Sequence, residues 1–282
     1  MSEQTAFPGL PRPLYAASPT RLLTWLECPR RYRLQYLDRP RPSSRPQRAH
    51  TSVGLVTHNV LRDFWGLPPE ERTPAGVAQL VRASWSDIGF RDPEQSLRWR
   101  LRVRDAVVDY LRGIDRDRQP VGVERSVSLK TGSLAVTGRV DRLDDRDGQL
   151  VVVDYKTGRQ VPTGEDARTS LALALYAAAV SRMFRRPCVR VELHHVPTGE
   201  VVVHEHTEAS LGRKLDEAES IASDLRGVDA NFVVVGVESD RFPPRPSALC
   251  TWCDFRAHCP AGQAMGPEKS DWAGLDEPPE AG

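Results

Sequence analysis

The spacing of hydrophobic residues changes character partway along this chain of 282 residues. Up to about residue 114, apolar side chains recur every three or four positions, which is typical of helices that bury one face. From residue 121 onward, apolar and polar residues alternate in several stretches, which is typical of strands. The pattern therefore predicts a helical N-terminal part, followed by a part in which strands and helices are mixed.

Caps, prolines and turns set the boundaries of these elements. Ser18 is a good N-cap with Pro19 at the first helical position, and Pro29 divides the helical stretch that follows. A tight turn at residues 146–148 joins two strands into a hairpin. The predicted helices cover residues 18–37, 52–67, 74–87, 95–114, 167–184 and about 208–225. The predicted strands cover residues 121–130, 134–145, 149–156, 189–196 and 200–207.

This order of elements predicts an α/β fold. Its sheet would carry an N-terminal helical insertion and a C-terminal cap. The chain is long enough for one large domain or two small ones. We expect a single domain over residues 18–262, with a flexible, proline-rich N-terminus at 1–17 and a polar, disordered tail at 263–282.

Three observations limit the class of protein. No apolar run approaches the length of a membrane span, so no membrane contact is expected. The first residues lack the basic start and apolar core of a secretory signal, so the expected location is the cytoplasm. The sequence has no P-loop or helicase motif, so any ATP-driven unwinding would come from a partner such as a helicase.

Charge is distributed unevenly although the net charge is only +1. Residues 1–50 contain nine arginines and three acids, which gives this segment +6 and leaves −5 for the rest. A basic arm on a neutral body fits a polyanionic partner. The alternative is a solvated helix face beside a disordered arm. We place the polyanion contacts at Arg30 and Arg31.

Two aspartates fall opposite each other in the predicted hairpin. With the turn at 146–148, Asp141 in one strand lies beside Asp154 in the next, and Lys156 shares the strand face of Asp154. Two neighbouring carboxylates repel unless a cation binds between them, and oxygen ligands suit Mg²⁺ or Mn²⁺. Lys156 could hold a water nucleophile or stabilise a phosphate there. The alternative is an ordinary surface ion pair of Asp154 and Lys156.

The five cysteines are concentrated near the C-terminus. Cys250, Cys253 and Cys259 are spaced C-x2-C-x5-C, while Cys28 stands far upstream. Clustered cysteines in a cytoplasmic protein favour a metal site over disulfides. Cys28 could complete an all-thiolate site, or His258 could replace it in a local zinc site. Cys188, the fifth cysteine, is typical of a buried core position.

Four short motifs occur in a diagnostic order. They are GLVTH with Gly54 and His58, GRVDR with Gly138, Arg139, Asp141 and Arg142, DYKTG with Asp154 and Lys156, and ALALYAAAV with Tyr176. This series resembles the RecB-like branch of the PD-(D/E)XK nucleases, which includes the nuclease domains of RecB and AddB and the CRISPR-associated exonucleases of RecB type. The family has a glutamine four residues before the tyrosine, where this chain has Ala172.

The resemblance implies a restriction-endonuclease-like core, a mixed sheet flanked by helices, and a set of site residues. It implies that His58, Asp141, Asp154 and the carbonyl of Tyr155 bind Mg²⁺ or Mn²⁺. Lys156 would be the catalytic lysine, so Asp141, Asp154 and Lys156 form the catalytic set. Tyr176 would contact DNA or the site. Loss of the family glutamine at Ala172 bears on DNA positioning and rate, and not on the metal ligands.

The same resemblance extends to the cysteines. In AddB and the CRISPR-associated relatives, one N-terminal and three C-terminal cysteines hold a [4Fe–4S] cluster. It implies that Cys28, Cys250, Cys253 and Cys259 do so here, which makes the C-terminal cap an Fe–S cap. The cluster would tie the arginine-rich N-terminal helices to that cap across more than 200 residues.

Other polar and aromatic residues are interpreted as structural. Glu124, in the strand before Asp141, is taken as a surface acid, with an extra acid near the metal as the alternative. The histidines of the last hairpin are taken as exposed strand residues; they are His194, His195, His204 and His206. The alternative is metal binding by His204 and His206, which alternation puts on one face. The aromatic residues near the cysteine motifs are taken as packing around the cluster, with base stacking as the alternative; they are Trp25, Tyr32, Tyr36 and Trp252.

The functional prediction is a metal-dependent DNA exonuclease that hydrolyses phosphodiester bonds, with single-stranded ends as substrate and DNA repair or recombination as its role. One alternative is a non-catalytic DNA-binding Fe–S module, which the intact Asp141, Asp154 and Lys156 disfavour. Another is a subunit whose nuclease works only with a helicase or within a CRISPR-adaptation complex.

Overall fold

The computed structural model describes residues 13–275 of the chain, whose core is a six-stranded mixed sheet. The strands are β1 (Tyr15–Ala17), β2 (Gly122–Lys130), β3 (Leu134–Arg146), β4 (Gln149–Lys156), β5 (Arg190–His195) and β6 (Glu200–Glu205). The helices are α1 (Pro19–Glu27), α2 (Pro29–Tyr36), α3 (Ala49–Gly66), α4 (Pro74–Ser84), α5 (Pro93–Arg112), α6 (Gly164–Thr169), α7 (Leu171–Phe184), α8 (Glu208–Val235) and α9 (Pro260–Gln263).

Strand β3 organises the sheet because it pairs along both edges. One edge pairs antiparallel with β2 over residues 135–143. The other edge pairs parallel with β1 over residues 134–136 and antiparallel with β4 over residues 142–146. Within the described part of the chain, β3 residues 137–141 thus have no ladder partner on that second edge. The gap ends at Asp141.

Helices cover both faces of the sheet. The first core lies between the sheet and helices α1, α7 and α8, and the second lies between the sheet and helices α3, α4 and α5. Residues of β4 alternate between the two cores: Leu150 and Val152 join the first, whereas Val151 and Val153 join the second. Burial on both faces explains why this strand is continuously apolar. The predicted α/β class, a mixed sheet flanked by helices, is confirmed.

The expectation that residues 1–17 are flexible is wrong for residues 15–17. Residues 1–12 lie outside the described residues. Residues 15–17 form β1, because their backbone pairs with β3. The Tyr15 hydroxyl also donates a hydrogen bond of 2.7 Å to Asp229 of α8. A strand of three residues is too short to show the alternation of apolar and polar residues, and it forms only because it pairs with β3. The sequence alone therefore does not reveal it.

The expected disordered tail is also ordered where the structure describes it, up to residue 275. The Asp271 carboxylate lies 2.9 Å from the Arg45 guanidinium, and its carbonyl accepts a hydrogen bond from the Ala49 amide. Leu275 is buried in the second core. The loop before α3 therefore holds this segment in place, and residues 276–282 of the predicted tail lie outside the described residues.

Two helices differ from the prediction. The helix expected over 167–184 is divided at Ser170, whose hydroxyl accepts a hydrogen bond of 3.2 Å from the Leu173 amide and caps α7. Helix α8 continues ten residues beyond 225, to Val235. Asp229 in that extension binds Arg21 at 3.0 Å, so a tertiary contact extends the helix despite the β-branched residues at its end. None of the helices over residues 13–275 has both the length and the apolar character of a membrane crossing.

Candidate functional site

Asp141 and Asp154 lie side by side at the point where β3 meets β4. The ladder pairs Arg142 with Val153, which is the predicted register and puts the two aspartates next to each other. The backbone ladder does not continue to Asp141. Instead, the Tyr155 amide donates a hydrogen bond of 2.8 Å to Asp141 Oδ2. One oxygen of Asp141 is therefore fixed by the backbone of β4, and the other faces the site.

His58 reaches Asp141 from helix α3, with Nδ1 at 3.4 Å from Oδ1. Gly54, one turn earlier, allows this approach, because a Cβ there would lie only 3.3 Å from the Thr157 hydroxyl. Burial acts to lower the pKa of His58. The hydrogen bond to Asp141 and the charges of Asp141, Asp154 and Glu124 outweigh burial and raise that pKa. The imidazole is thus held in a strongly negative environment.

Asp154 and Lys156 form a close pair beside this group, with Asp154 Oδ2 at 2.7 Å from Lys156 Nζ. Burial raises the pKa of Asp154, and the charge of Asp141 raises it further, whereas Lys156 opposes the rise. The lysine is about half exposed, with 47% of its side chain accessible, so it can reach a molecule in solvent. The ion pair of Asp154 and Lys156 is thus present, as one of the two sequence interpretations has it. It lies beside the carboxylate of Asp141, as the metal-site interpretation requires.

Glu124 joins the site, so its interpretation as a surface acid is wrong. One donor atom each from His58, Glu124 and Asp141 lie within 4.8 Å of one another. Glu124 lies opposite Asp141 in the β2–β3 ladder, since Val123 pairs with Arg142. Its φ of +47° is left-handed and rare for a non-glycine residue. The register could have indicated its position, but nothing in the sequence signals this backbone conformation.

Tyr155 and Arg142 support the site from the second core. The Arg142 side chain is only 2% exposed, lies 3.0 Å from Asp144 and donates a hydrogen bond of 3.2 Å to the Tyr155 hydroxyl. The Tyr155 ring also packs edge-on against His58 at 5.9 Å. The second arginine of the GRVDR motif is therefore a buried anchor for Tyr155. Metal binding by the Tyr155 carbonyl stays a prediction.

Tyr176 lies over Gly138, which explains two motif residues together. A Cβ at position 138 would lie 2.5 Å from Tyr176 Cε1, so only glycine leaves room for the ring. Burial raises the pKa of Tyr176, and the charges of Asp154 and Asp141 raise it further. The tyrosine is therefore close to the carboxylates. A contact from Tyr176 to DNA stays a prediction.

The donor set suits a divalent cation. An imidazole nitrogen and carboxylate oxygens are ligands that Mn²⁺ accepts, and the carboxylates also suit Mg²⁺. The three carboxylates are those of Asp141, Asp154 and Glu124, and together they raise the pKa of His58. Lys156 is paired with one of them, Asp154. Such a group is stabilised when a cation binds between its members. The residues present therefore fit a metal site.

The four cysteines of the predicted cluster surround one small cavity. In residues 13–275, the His58–Glu124–Asp141 group is the only set of three or more His, Cys, Asp or Glu donors that lie mutually within 4.8 Å. No three of the cysteine sulfurs are therefore that close. Tetrahedral zinc with Zn–S bonds of about 2.3 Å would bring its sulfurs to about 3.8 Å from one another. The sulfurs are thus farther apart in this structure than they would be around a single tetrahedral zinc ion.

Backbone amides also point at these sulfurs. The Ser247 amide lies 3.4 Å from Cys250 Sγ, and the Gly262 amide lies 3.4 Å from Cys259 Sγ. Such donors stabilise thiolates and tune the potential of iron–sulfur clusters. His258, the rival zinc ligand, is exposed and hydrogen-bonds through Nε2 to the Ser43 carbonyl at 3.1 Å. The His258 ring is therefore engaged away from the cysteines, and binding of an iron–sulfur cluster by the four cysteines stays a prediction.

Arg30 and Arg31 line the cysteine cavity rather than the carboxylate site. Arg30 Nε donates a hydrogen bond of 3.0 Å to the Phe242 carbonyl, and Arg31 lies 2.8 Å from Glu27. Their charges can offset the negative charge of clustered thiolates. DNA binding by the two arginines stays a prediction, and the structure gives them these protein partners. Cys188 is buried in the first core, as predicted.

The hairpin histidines are more buried than expected. His194 is 2% exposed and its Nε2 lies 2.8 Å from Glu192, while His195 is 1% exposed and bonds to Thr198. His206 is 4% exposed, and its Nε2 has no hydrogen-bond partner. The interpretation as exposed residues is wrong for these three, whose side chains are buried and hydrogen-bond to Glu192, Thr198 and Ser210 respectively.

His206 should make stability depend on pH. Burial lowers its pKa to about 4, and the positive charges of His204 and Lys214 contribute. In the unfolded chain His206 takes up a proton near pH 6.5, whereas in the folded chain it does so only near pH 4. The folded state therefore has its full stability above pH 6.5 and loses stability as the pH falls toward 4. We expect the free energy of unfolding to fall by about 1–2 kcal/mol between pH 7 and 5 through this group. His206→Gln should show a smaller fall in urea titrations; an identical pH dependence would contradict this assignment.

The profile of the PD-(D/E)XK nuclease superfamily matches residues 16–260 of this chain. A curated relative, the "CRISPR-associated exonuclease Cas4/endonuclease Cas1 fusion" of Myxococcus xanthus (strain DK1622), is 34% identical over 104 residues. That match covers 35% of this chain and 18% of the relative, so the chain spans less than a fifth of the relative's length.

A solved structure supports the same fold. The crystal structure of a candidate exonuclease from Eubacterium rectale matches with a TM-score of 0.52 and 11% identity over 87% of each chain. At this identity the likeness shows the fold alone, which is the restriction-endonuclease-like core. The family profile covers most of the residues, and the His, Asp and Asp-x-Lys motifs meet at one site. The chain therefore belongs to the PD-(D/E)XK nuclease superfamily.

Proposed function

We propose that this nuclease is a DNA exonuclease that uses Mg²⁺ or Mn²⁺ and degrades single-stranded ends, with a role in DNA repair or recombination. The observation that carries the proposal is the convergence of His58, Asp141, Asp154 and Lys156, with Lys156 also lining a broad open cleft. Pure binding of a nucleic acid does not need apposed carboxylates, because carboxylates repel phosphates. Hydrolysis at a bound cation does need them.

His58, Asp141, Asp154 and the Tyr155 carbonyl would hold the cation. The bound ion would supply positive charge for the phosphate and acidify a water molecule. Asp141 is fixed by the Tyr155 amide at 2.8 Å and needs little reorganisation to bind the ion. His58 is placed by the buried face of α3. The protein groups are thus oriented before substrate arrives, which is what efficient electrostatic catalysis requires.

Lys156 would hold a water molecule or stabilise charge on the phosphate. Its ammonium lies 2.7 Å from Asp154, which orients it, and it also lines the cleft. The chain uses arginine almost everywhere else: four of its 39 basic residues are lysine. A compact ammonium with rotatable donors can follow a phosphate that changes geometry during reaction, whereas a planar guanidinium is less adaptable.

The cleft provides a path for a strand of DNA. It has a volume of about 1330 Å³ and runs from Lys156 past the loop at residues 158–163 to Trp252. The Trp252 ring packs edge-on against His50 at 5.6 Å, so aromatic surface lies along the same path. Aromatic side chains that stack with bases, together with basic groups on the backbone, are the usual means of binding single strands without sequence preference.

A [4Fe–4S] cluster held by Cys28, Cys250, Cys253 and Cys259 would be structural in this proposal. Cys28 lies at the junction of α1 and α2, and the other three lie in the cap. The cap carries Trp252, which lines the cleft. Joining the cap to the N-terminal helices would therefore hold one wall of the DNA path in position.

A second candidate is a nuclease that acts only with partners. The similarity to a CRISPR-associated fusion protein favours it, since the named relative joins an exonuclease to an endonuclease in one chain. Under this candidate the same site binds metal, but the isolated chain degrades DNA slowly. A helicase or a CRISPR-adaptation protein would then deliver the end.

Linear and circular substrates test the exonuclease assignment. Single-stranded DNA of one sequence would be supplied as a linear strand and as a covalently closed circle, with Mn²⁺ and protein purified without oxygen. We expect the linear strand to be shortened and the circle to survive, because the circle offers no end. Equal cleavage of both forms would contradict the exonuclease assignment and indicate an endonuclease. Activity that appears only when a partner is added would favour the second candidate.

A further inference from the structure

Glu124 occupies a position that costs free energy. It is a strand residue in the left-handed region, with φ +47°, where a non-glycine residue is strained by about 1–3 kcal/mol. Its ladder neighbours are regular, since Val123 pairs with Arg142 and Arg125 pairs with Val140. The distortion is therefore confined to the one residue that lies opposite Asp141.

Glu124 belongs to a mixed donor group. A carboxylate oxygen of Glu124, a ring nitrogen of His58 and a carboxylate oxygen of Asp141 lie within 4.8 Å of one another. The three residues are half-buried and come from three different elements, β2, α3 and β3. Two carboxylates at this distance repel, and the nearby Asp154 adds a third.

An ordinary ion pair does not account for this placement. Among the described residues, Arg139 donates a hydrogen bond to Glu124, with Nη1 at 3.3 Å from Oε2, and the charge of Glu124 also helps to raise the pKa of Arg62. The Arg139 side chain is 64% exposed, and such pairs contribute about 1 kcal/mol or less. That is too little to offset both the strained backbone and the repulsion from Asp141. A divalent cation would offset both.

We propose that Glu124 is a ligand of the divalent cation, alongside His58 and Asp141. This inference rests on the proposed function, because it concerns the same metal site. It adds a carboxylate from β2 to the ligands that the motifs supply. Glu124 would then share the cation with the ligands that the motifs supply, including Asp154, whose carboxylate is also paired with Lys156 at 2.7 Å.

Binding of Mn²⁺ to the full chain tests this proposal without relying on catalysis. The concentration of unbound Mn²⁺ would be followed by electron paramagnetic resonance for wild type, Glu124→Gln and Glu205→Gln. Glu205 is the matched control, since it is also a strand glutamate paired with an arginine, Arg190 at 3.5 Å. We expect Glu124→Gln to weaken Mn²⁺ binding about tenfold or more. Glu205→Gln should bind Mn²⁺ as wild type does.

Thermal unfolding without metal separates a ligand from a structural residue. Glu124→Gly removes both the carboxylate and the backbone strain, so without metal its melting temperature should equal or exceed that of wild type. Added Mn²⁺ should raise the melting temperature of this variant less than that of wild type. A melting temperature well below that of wild type, with Mn²⁺ affinity retained, would overturn the proposal and assign Glu124 a structural role.

Asp141→Asn distinguishes failure of this inference from failure of the proposed function. If Asp141→Asn loses Mn²⁺ binding and Glu124→Gln keeps it, only the role of Glu124 is overturned. If neither substitution changes Mn²⁺ binding, the metal site itself is wrong, and the proposed function fails with it.

Discussion

Lys156→Ala is expected to lower the rate of DNA cleavage about a thousandfold, with the fold and Mn²⁺ binding retained. The lysine is half exposed and its ammonium touches Asp154, so its loss removes a cation at the reacting phosphate without opening a cavity. The rate would be measured as release of end label from single-stranded DNA at saturating Mn²⁺. Asp154→Asn should cause a comparable loss and also weaken Mn²⁺ binding.

Lys214→Ala is the matched control. Its ammonium lies 2.8 Å from Glu217, so it loses the same kind of ion pair at a site away from the carboxylates. We expect this variant to cleave DNA as wild type does. If Lys156→Ala and Lys214→Ala retained equal rates, Lys156 would have no part in the reaction.

Cys28→Ser is expected to have the second large effect, loss of iron together with a large loss of stability. The cluster would connect position 28 to position 250 and so close a loop of more than 200 residues. A constraint of that length restricts the unfolded chain by about 5 kcal/mol in the chain-entropy treatment of cross-links. Iron and sulfide content, visible absorption and urea unfolding would be measured on protein handled without oxygen.

Cys188→Ala serves as the control for that experiment. Cys188 is buried in the first core, away from the cysteine cavity, so this variant should keep its iron. Iron content that is unchanged in Cys28→Ser would contradict the four-cysteine cluster. Stoichiometric zinc in wild-type protein purified without oxygen would contradict the choice of metal.

Much of the fold could be predicted because its elements are locally consistent. The hairpin of β3 and β4 follows from alternation and a turn at 146–148, and its observed register is the one that apposes Asp141 and Asp154. Tertiary contacts decided what could not be predicted. Strand β1 depends on pairing with β3, and the end of α8 depends on Asp229.

The candidate site was predictable where chemistry and sequence spacing coincide. His58, Asp141, Asp154 and Lys156 stand in recognisable motifs, and the structure brings them together. Glu124 stands in no motif; the register places it opposite Asp141, but residue type does not encode its left-handed backbone conformation. Charge alone suggests a polyanion contact at Arg30 and Arg31, and that contact stays a prediction. In the structure both arginines line the cysteine cavity.

Release of label from end-labelled single-stranded DNA tests whether this chain hydrolyses DNA at a bound divalent cation. Wild type and Asp141→Asn, both purified without oxygen, would be compared with Mn²⁺, with Mg²⁺ and with chelator. We expect wild type to release the label with either metal, chelator to stop this release, and Asp141→Asn to release none. A wild-type protein that binds the DNA and Mn²⁺ with its cysteine site intact, yet never cuts, would contradict catalysis by this chain.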